Sequence, residues 1–181
     1  MFVDQGERQQ GFALLEVVVS IPMMVLLLVS LGTAVFWGLH HYLYFLADAE
    51  LQQEVQVSFQ RVVDDMLEAR EIQPLPIGRQ GYTLIKTLPA GTKNAEEKTV
   101  RMIYEIHTIQ GTHKLVCGDV EAPMTGNHSL AGVTITTFSC EPESGEPGLY
   151  TVRLTGKSEV TKHVYSLETA VYLPADKSAA D

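Results

Sequence analysis

The spacing of hydrophobic positions changes twice along this chain, and each change marks a different element. Residues 17–39 read VVVSIPMMVLLLVSLGTAVFWGL, an apolar run with no charge. This predicts a helix that is apolar on every face. At 1.5 Å per residue it is about long enough to cross a hydrocarbon core of roughly 30 Å. Its polar exceptions, Ser20, Ser30 and Thr33, are small, and their hydroxyls can bond back to the helix's own carbonyls. Pro22 removes one helical hydrogen bond and invites a kink. Trp37, His40, His41, Tyr42 and Tyr44 follow as a polar-aromatic edge suited to a membrane interface.

Further on, Leu51, Val55, Phe59, Val62, Val63 and Met66 recur at steps of three and four, with one adjacent pair. Glu50, Gln53, Glu54, Gln60, Arg61, Asp64, Asp65 and Glu68 fill the other faces. The stripe predicts an amphipathic helix that must pack on something. Gln73-Pro74-Leu75-Pro76-Ile77-Gly78 stops it. The reading is one helix of about 60 residues, roughly 90 Å long, from Phe12 to near Arg70. Two helices hinged near residues 38–41 are the alternative. After Pro76 the period becomes two. Residues 81–88, 99–109, 112–117, 133–140, 149–154 and 163–173 read as strands, and Gln110-Gly111 closes a hairpin. Segments 91–97, 118–132 and 141–148 are turns, and 177–181 is a polar tail. The expected class is α+β, a long N-terminal helix laid on an antiparallel sheet of five or six strands.

Charge sharpens the division. Between Phe12 and Ala47 the only ionised residue is Glu16. From Asp48 onward the chain carries 19 of the 22 acids and 12 of the 13 bases, a net charge of −7. Such a domain repels a phosphate backbone, which argues against nucleic acid as partner, and it argues against an anionic membrane surface. A local basic patch would be the exception.

Candidate chemistry is sparse. No nucleophile elbow surrounds Ser144-Gly145 and Gly148, and no Gly-rich loop opens a helix as a phosphate site requires. His40 and His41 are adjacent on a helix, so they diverge by about 100° and cannot share a metal. His107 and His113 flank the predicted hairpin and could face each other, although exposed strand positions are the simpler reading. Asp64, Asp65 and Glu68 read as a solvated helix face rather than a calcium site. Asn127-His128-Ser129 matches a glycosylation acceptor by chance. These readings leave no catalytic residue, no metal ligand and no cofactor, so an enzyme is not expected. Cys117 and Cys140 lie 23 positions apart without metal-ligand spacing. In an exported domain they could form a disulfide worth about 3 kcal/mol; unpaired thiols are the alternative.

Glu16 is the exception that needs a reason. A carboxylate near the start of a membrane helix costs a few kcal/mol unless something neutralises it. A cleaved secretory signal does not fit, because the apolar run is too long and residues 1–11 set only Arg8 against Asp4 and Glu7. An ordinary signal anchor leaves Glu16 unexplained.

Gly11-Phe12-Ala13-Leu14-Leu15-Glu16, followed by VVVSIPMMVLLL, resembles the prepilin cleavage and methylation motif of type IV pilins and pseudopilins. The resemblance in motif covers roughly the first 40 residues. It implies a leader at 1–11, a transmembrane and filament-core helix at 12–47, and a globular domain outside the cytoplasm at 48–181. A prepilin peptidase would cut between Gly11 and Phe12, Phe12 would be N-methylated, and Glu16 would serve filament assembly. The order of the later elements also resembles the pilin fold, with a domain of the size of minor pilins and pseudopilins. Implied partners are other pilin or pseudopilin subunits, the prepilin peptidase, an inner-membrane assembly platform and membrane lipid. Implied roles lie in secretion, DNA uptake, or adhesion and motility. A bitopic membrane protein with an exported β-rich binding domain is the competing reading.

Overall fold

The computed structural model describes residues 6–88, 98–118, 123–125 and 132–173, with side chains throughout except at 6–14, 88 and 98. The elements are α1 (Gly6–Leu67), β1 (Ala69–Pro74), β2 (Gly81–Leu88), β3 (Lys98–Ile109), β4 (Thr112–Cys117), β5 (Val133–Pro142), β6 (Leu149–Ser158) and β7 (Val164–Tyr172). A long apolar N-terminal helix followed by antiparallel sheets makes the chain α+β. It divides into two units, Met1–Leu43 and Tyr44–Asp181.

In the first unit every described side chain of 15–43 is exposed, and the helix is long and apolar enough to cross a membrane. Ser20 and Ser30 bond back to the carbonyls of Val17 (3.2 Å) and Leu27 (2.9 Å), and Thr33 to those of Val29 and Ser30 (3.0 and 2.9 Å). Each hydroxyl is thereby satisfied without leaving the helix. Pro22 lies inside α1 without ending it. The helix also continues through 38–41, so the hinged alternative is not what forms.

In the second unit α1 buries Ala47, Leu51, Val55, Ser58, Val62 and Met66, while Phe59 and Val63 are partly covered. The steps of four, four, three, four and four keep one face inward. That face meets Leu84 of β2, Tyr104 of β3, Leu115 of β4, Ile135 of β5, and Val152 and Leu154 of β6 in a single core. Each large apolar side chain buried there contributes about 1.5–3 kcal/mol.

The strands divide into two sheets, β1-β2-β3-β4 and β5-β6-β7, all antiparallel. This corrects the expected single sheet of five or six strands. β5 lies against β4 and β2 without joining their ladder. Tyr82 of β2 and Phe138 of β5 stack edge-on across the junction, 5.4 Å between centroids. A second correction concerns 69–74. The sequence predicts a helix running to near Arg70 and no strand before residue 81, but α1 ends at Leu67, Ile72 is buried and the segment pairs with β2. Pairing with a neighbouring strand overrides weak local preference. The Gln110-Gly111 turn has φ of 52° and 81°. Two positive φ values give the twist that joins β3 to β4 with a two-residue loop.

Two glycines permit close approaches. A Cβ on Gly156 of β6 would stand 2.4 Å from Val55 Cγ2 and 3.3 Å from Leu51 Cδ1. The bare backbone lets α1 lie against the second sheet. A Cβ on Gly81 would stand 2.0 Å from the Tyr104 carbonyl oxygen, so β2 can begin there only as glycine.

Candidate functional site

The motif residues come first. Gly11 and Phe12 lie in the opening turns of α1, and their side chains fall outside the described residues. Glu16 is exposed on the same helix, one turn after Phe12. A spacing of four puts both positions on one helix face. Glu16 is the sole ionisable acid or base of 15–39, because the first histidine is His40. At the far end of the first unit Trp37 and His41 meet edge-on, 4.2 Å between ring centroids. This indole and imidazole pair belongs to the interfacial edge read from sequence.

The cysteines stand on different sheets, Cys117 at the end of β4 and Cys140 on β5, and both carry free thiols in this structure. Burial, with the charge of Glu141 second, pushes the Cys140 thiol up to about 12. A thiol so raised is a poor nucleophile at neutral pH.

Sequence reading missed the polar cluster beneath α1. Asp65 and Glu68 are one turn apart on and just past the end of the helix. Lys86 of β2, only 7% exposed, donates to Asp65 Oδ1 at 2.5 Å and to Glu68 Oε2 at 2.9 Å. Tyr104, wholly buried, donates its hydroxyl to Asp65 Oδ2. Asp65 is therefore a half-buried ion-pair partner, which corrects the sequence reading for that residue, while Asp64 and Glu68 are exposed as expected. Burial opposes the charge on Lys86. The hydrogen bonds and charges of Asp65 and Glu68 outweigh it and hold the ammonium above its usual value. Burial, then the bond to Asp65, pushes the Tyr104 phenol far up. The Lys86 ammonium and the Tyr104 hydroxyl both close on Asp65, so the cluster acts as a structural clamp between α1 and the first sheet.

A second cluster surrounds Glu105, also 7% exposed. Arg79 binds it through two nitrogens, and His107 Nε2 lies 3.0 Å from Oε2. Arg79, followed by His107, holds the Glu105 carboxyl below its usual value despite burial. His107 is thereby engaged on its own strand. His113 instead pairs across the ladder with Thr108, its Nδ1 3.0 Å from Oγ1. Adjacent ladder positions face opposite sides, so the two histidines do not face each other. His128 lies outside the described residues. A polar cleft of about 370 Å³ on the second sheet is lined by Ser139, Glu141, Glu143, Ser144, Thr151 and Arg153. Thr151 donates to Glu143 at 3.2 Å, and Arg153 donates to Glu168 at 2.9 and 2.6 Å. Thr151, Glu143 and Arg153 are thereby engaged in pairs of their own.

Among the described residues, no three His, Cys, Asp or Glu side chains gather closely enough to hold a metal ion. Apart from Cys140, whose thiol is raised by burial, the groups with displaced titration are engaged in internal pairs, and Glu16 is the lone acid or base of 15–39. Comparison with protein-family models, curated proteins and solved structures returned no match.

Proposed function

We propose that this chain is a minor pilin or pseudopilin. It is held in a membrane by the first part of α1 and then assembled into a type IV pilus-like filament that serves secretion, DNA uptake, or adhesion and motility. The observation that carries the proposal is Glu16, a lone exposed carboxylate at the head of an uncharged apolar helix, four residues after Phe12. Cleavage after Gly11 would create an amine at a helix N-terminus. The positive end of the helix dipole makes that a poor place for a cation. The Glu16 carboxylate neutralises it, in the same subunit or in the next one during assembly. Two such charges attract far more strongly in a low-dielectric core than in water, though desolvation takes back much of the gain. The pair therefore selects register more than it adds stability.

The helical face exposed to lipid before assembly packs against sister helices afterwards. The sheet-bearing unit stays outside the cytoplasm and carries the surface that sets the subunit's place in the filament. Partners on this reading are sister subunits, the prepilin peptidase and the inner-membrane assembly platform.

The test is the mass of the native N-terminus. Protein from its own host should begin at N-methylated Phe12. Replacing Gly11 by leucine should block that processing and leave a longer chain. A mature chain that still begins at Met1 would reject the proposal and favour a bitopic membrane protein whose β-rich unit binds a partner.

A further inference from the structure

Among the described residues the two sheets end in four edge strands, β1, β4, β5 and β7, and three of them are closed. β1 shifts register between Ala69 and Glu71, carries the charges of Arg70 and Glu71, and ends in Pro74. On the outer side of β4, Pro123 bridges Val116 and the Met124 N–H reaches the Leu115 carbonyl at 2.8 Å. β5 shifts register between Ile135 and Thr137 and lies against β4 and β2. Bulges, charges, proline and cover are the ordinary means of keeping an edge from pairing with another chain. β7 shows none of these among the described residues. It runs for nine residues, Val164–Tyr172, in unbroken register with β6 and without proline or lysine. Its one charge, Glu168, already accepts Arg153.

The ladder decides which groups the open edge presents. Leu173 N–H reaches the Gly148 carbonyl at 2.8 Å, and Ser158 N–H reaches the His163 carbonyl at 3.0 Å. Hydrogen-bonded positions alternate along an antiparallel pair, so the odd residues from 163 to 173 bond β6. Val164, Ser166, Glu168, Ala170 and Tyr172 therefore turn their backbone N–H and C=O groups outward. Their side chains are exposed, while Tyr165 and Leu167 on the core side are only partly covered. A further strand would satisfy this row of backbone groups and extend the cover over that side.

The edge is also fixed in advance. Thr161 Oγ1 donates to Asp48 Oδ1 at 2.6 Å and His163 Nδ1 lies 2.8 Å from Asp48 Oδ2, which fastens the turn before β7 to α1. The Thr161 hydroxyl, then His163, holds the Asp48 carboxyl below its usual value. A strand already held in place loses little entropy on pairing.

The residues of β7 match a second β7. VYSLETAVY begins and ends in Val-Tyr, with Glu168 at its centre. Laid antiparallel against itself about Glu168, it sets Val164 opposite Tyr172, Tyr165 opposite Val171, Ser166 opposite Ala170 and Leu167 opposite Thr169. Aromatic and β-branched residues thus pair at both ends and on both faces, a favoured cross-strand combination. This alignment also sets outward-facing residues against outward-facing ones, as bonding across the edge requires. The one conflict is Glu168 against Glu168. Each carboxylate keeps its own Arg153, so the row across the axis holds two acids and two bases. Over the rest of the domain a second copy meets a net charge of −7.

We propose that β7 is a self-pairing edge, through which two copies of this chain join antiparallel along residues 164–172. Two three-stranded sheets become one of six strands.

The test uses the full chain in detergent micelles under mild oxidation. E168C sets two thiols opposite each other on Cα atoms about 5.5 Å apart, within disulfide reach. S166C sets its thiols about 13 Å apart along the strands, out of reach. E168C should give at least about tenfold more disulfide-linked dimer than S166C or the unaltered chain. A mixture of S166C with A170C, which retains Glu168, should give the mixed dimer to the same extent. A170P removes only an outward N–H, so the β6 ladder survives, and it should abolish the dimer in sedimentation. A170D adds two acids beside the Glu168 pair and should weaken the dimer at least about tenfold. Equal cross-linking of E168C and S166C overturns the proposal. So does an unaltered chain that sediments as a monomer, or a dimer that A170P and A170D both leave intact, as association through the apolar helix would. Neither readout depends on cleavage of the leader, so the filament proposal is judged separately by the N-terminal mass.

Discussion

Gly156 offers the sharpest test of how α1 sits on the second sheet. In Gly156→Ala the new methyl would stand 2.4 Å from Val55 Cγ2, against an ordinary carbon–carbon contact of about 3.5–4.0 Å. Either the helix lifts by more than about 1 Å or Val55 leaves its rotamer, and overpacking of this kind costs about 1–3 kcal/mol. Against that, replacing a strand glycine returns about 0.5–1 kcal/mol, because the unfolded chain has less freedom to lose. The net expectation is a loss of about 0.5–2 kcal/mol. Urea denaturation of the detergent-solubilised chain, followed by near-ultraviolet circular dichroism of the core tyrosines, reads it. A double-mutant cycle with Val55→Ala isolates the contact, since the smaller partner makes room for the methyl. The coupling should be at least about 0.5 kcal/mol and favour the pair. A stable G156A, or effects that simply add, would refute the close approach.

Lys86→Met should leave Asp65 without its cation beneath the helix and cost about 2–4 kcal/mol in the same urea assay; adding Asp65→Asn should recover part of the loss. Asp48 and Glu105 both titrate below their usual 3.8 and 4.5 in the folded chain. Their contribution is present above those values and is lost as pH falls through the lower folded ones, so stability should hold from about pH 5 upward and fall towards pH 3. Lys86 works in the opposite sense, its contribution being complete below 10.5 and lost as pH rises through its raised folded value. For the cysteines, alkylation of the unfolded but unreduced chain from an oxidising compartment should label neither residue if Cys117 and Cys140 have paired there. Two labels would leave them as the free thiols of the structure.

Local features carried the parts of the fold that were legible in advance. β2 and β4 fall where alternation placed them, and the Gln110-Gly111 turn lies between β3 and β4 as its composition required. The helical stripe was read from Leu51, Val55, Val62 and Met66, which are buried, but Ser58 on the same face was passed over because serine carries no apolar signal. The separation into two sheets was not legible, because no local pattern says whether β5 joins the ladder of β4 or starts its own. The Lys86 clamp was missed for a related reason. Its partners lie 18 and 21 residues away, and Tyr104 meets Asp65 across 39 residues. In one dimension Asp65 is indistinguishable from its exposed neighbour Asp64. At the candidate site the position of Glu16 was legible because its surroundings are uniform: one charge among apolar residues needs no fold to be conspicuous.

Only Glu68 separates the last residue of α1 from the first residue of β1. Tension drawn along the helix has no slack to take up there, and Lys86 of β2 grips Asp65 in the last turn of α1 and Glu68 at the joint itself. A pull on the helix would therefore load β1, and through it the first sheet, immediately. A glycine-serine pair inserted after Glu68 would act as a shock absorber, and the rupture force in single-molecule pulling should drop.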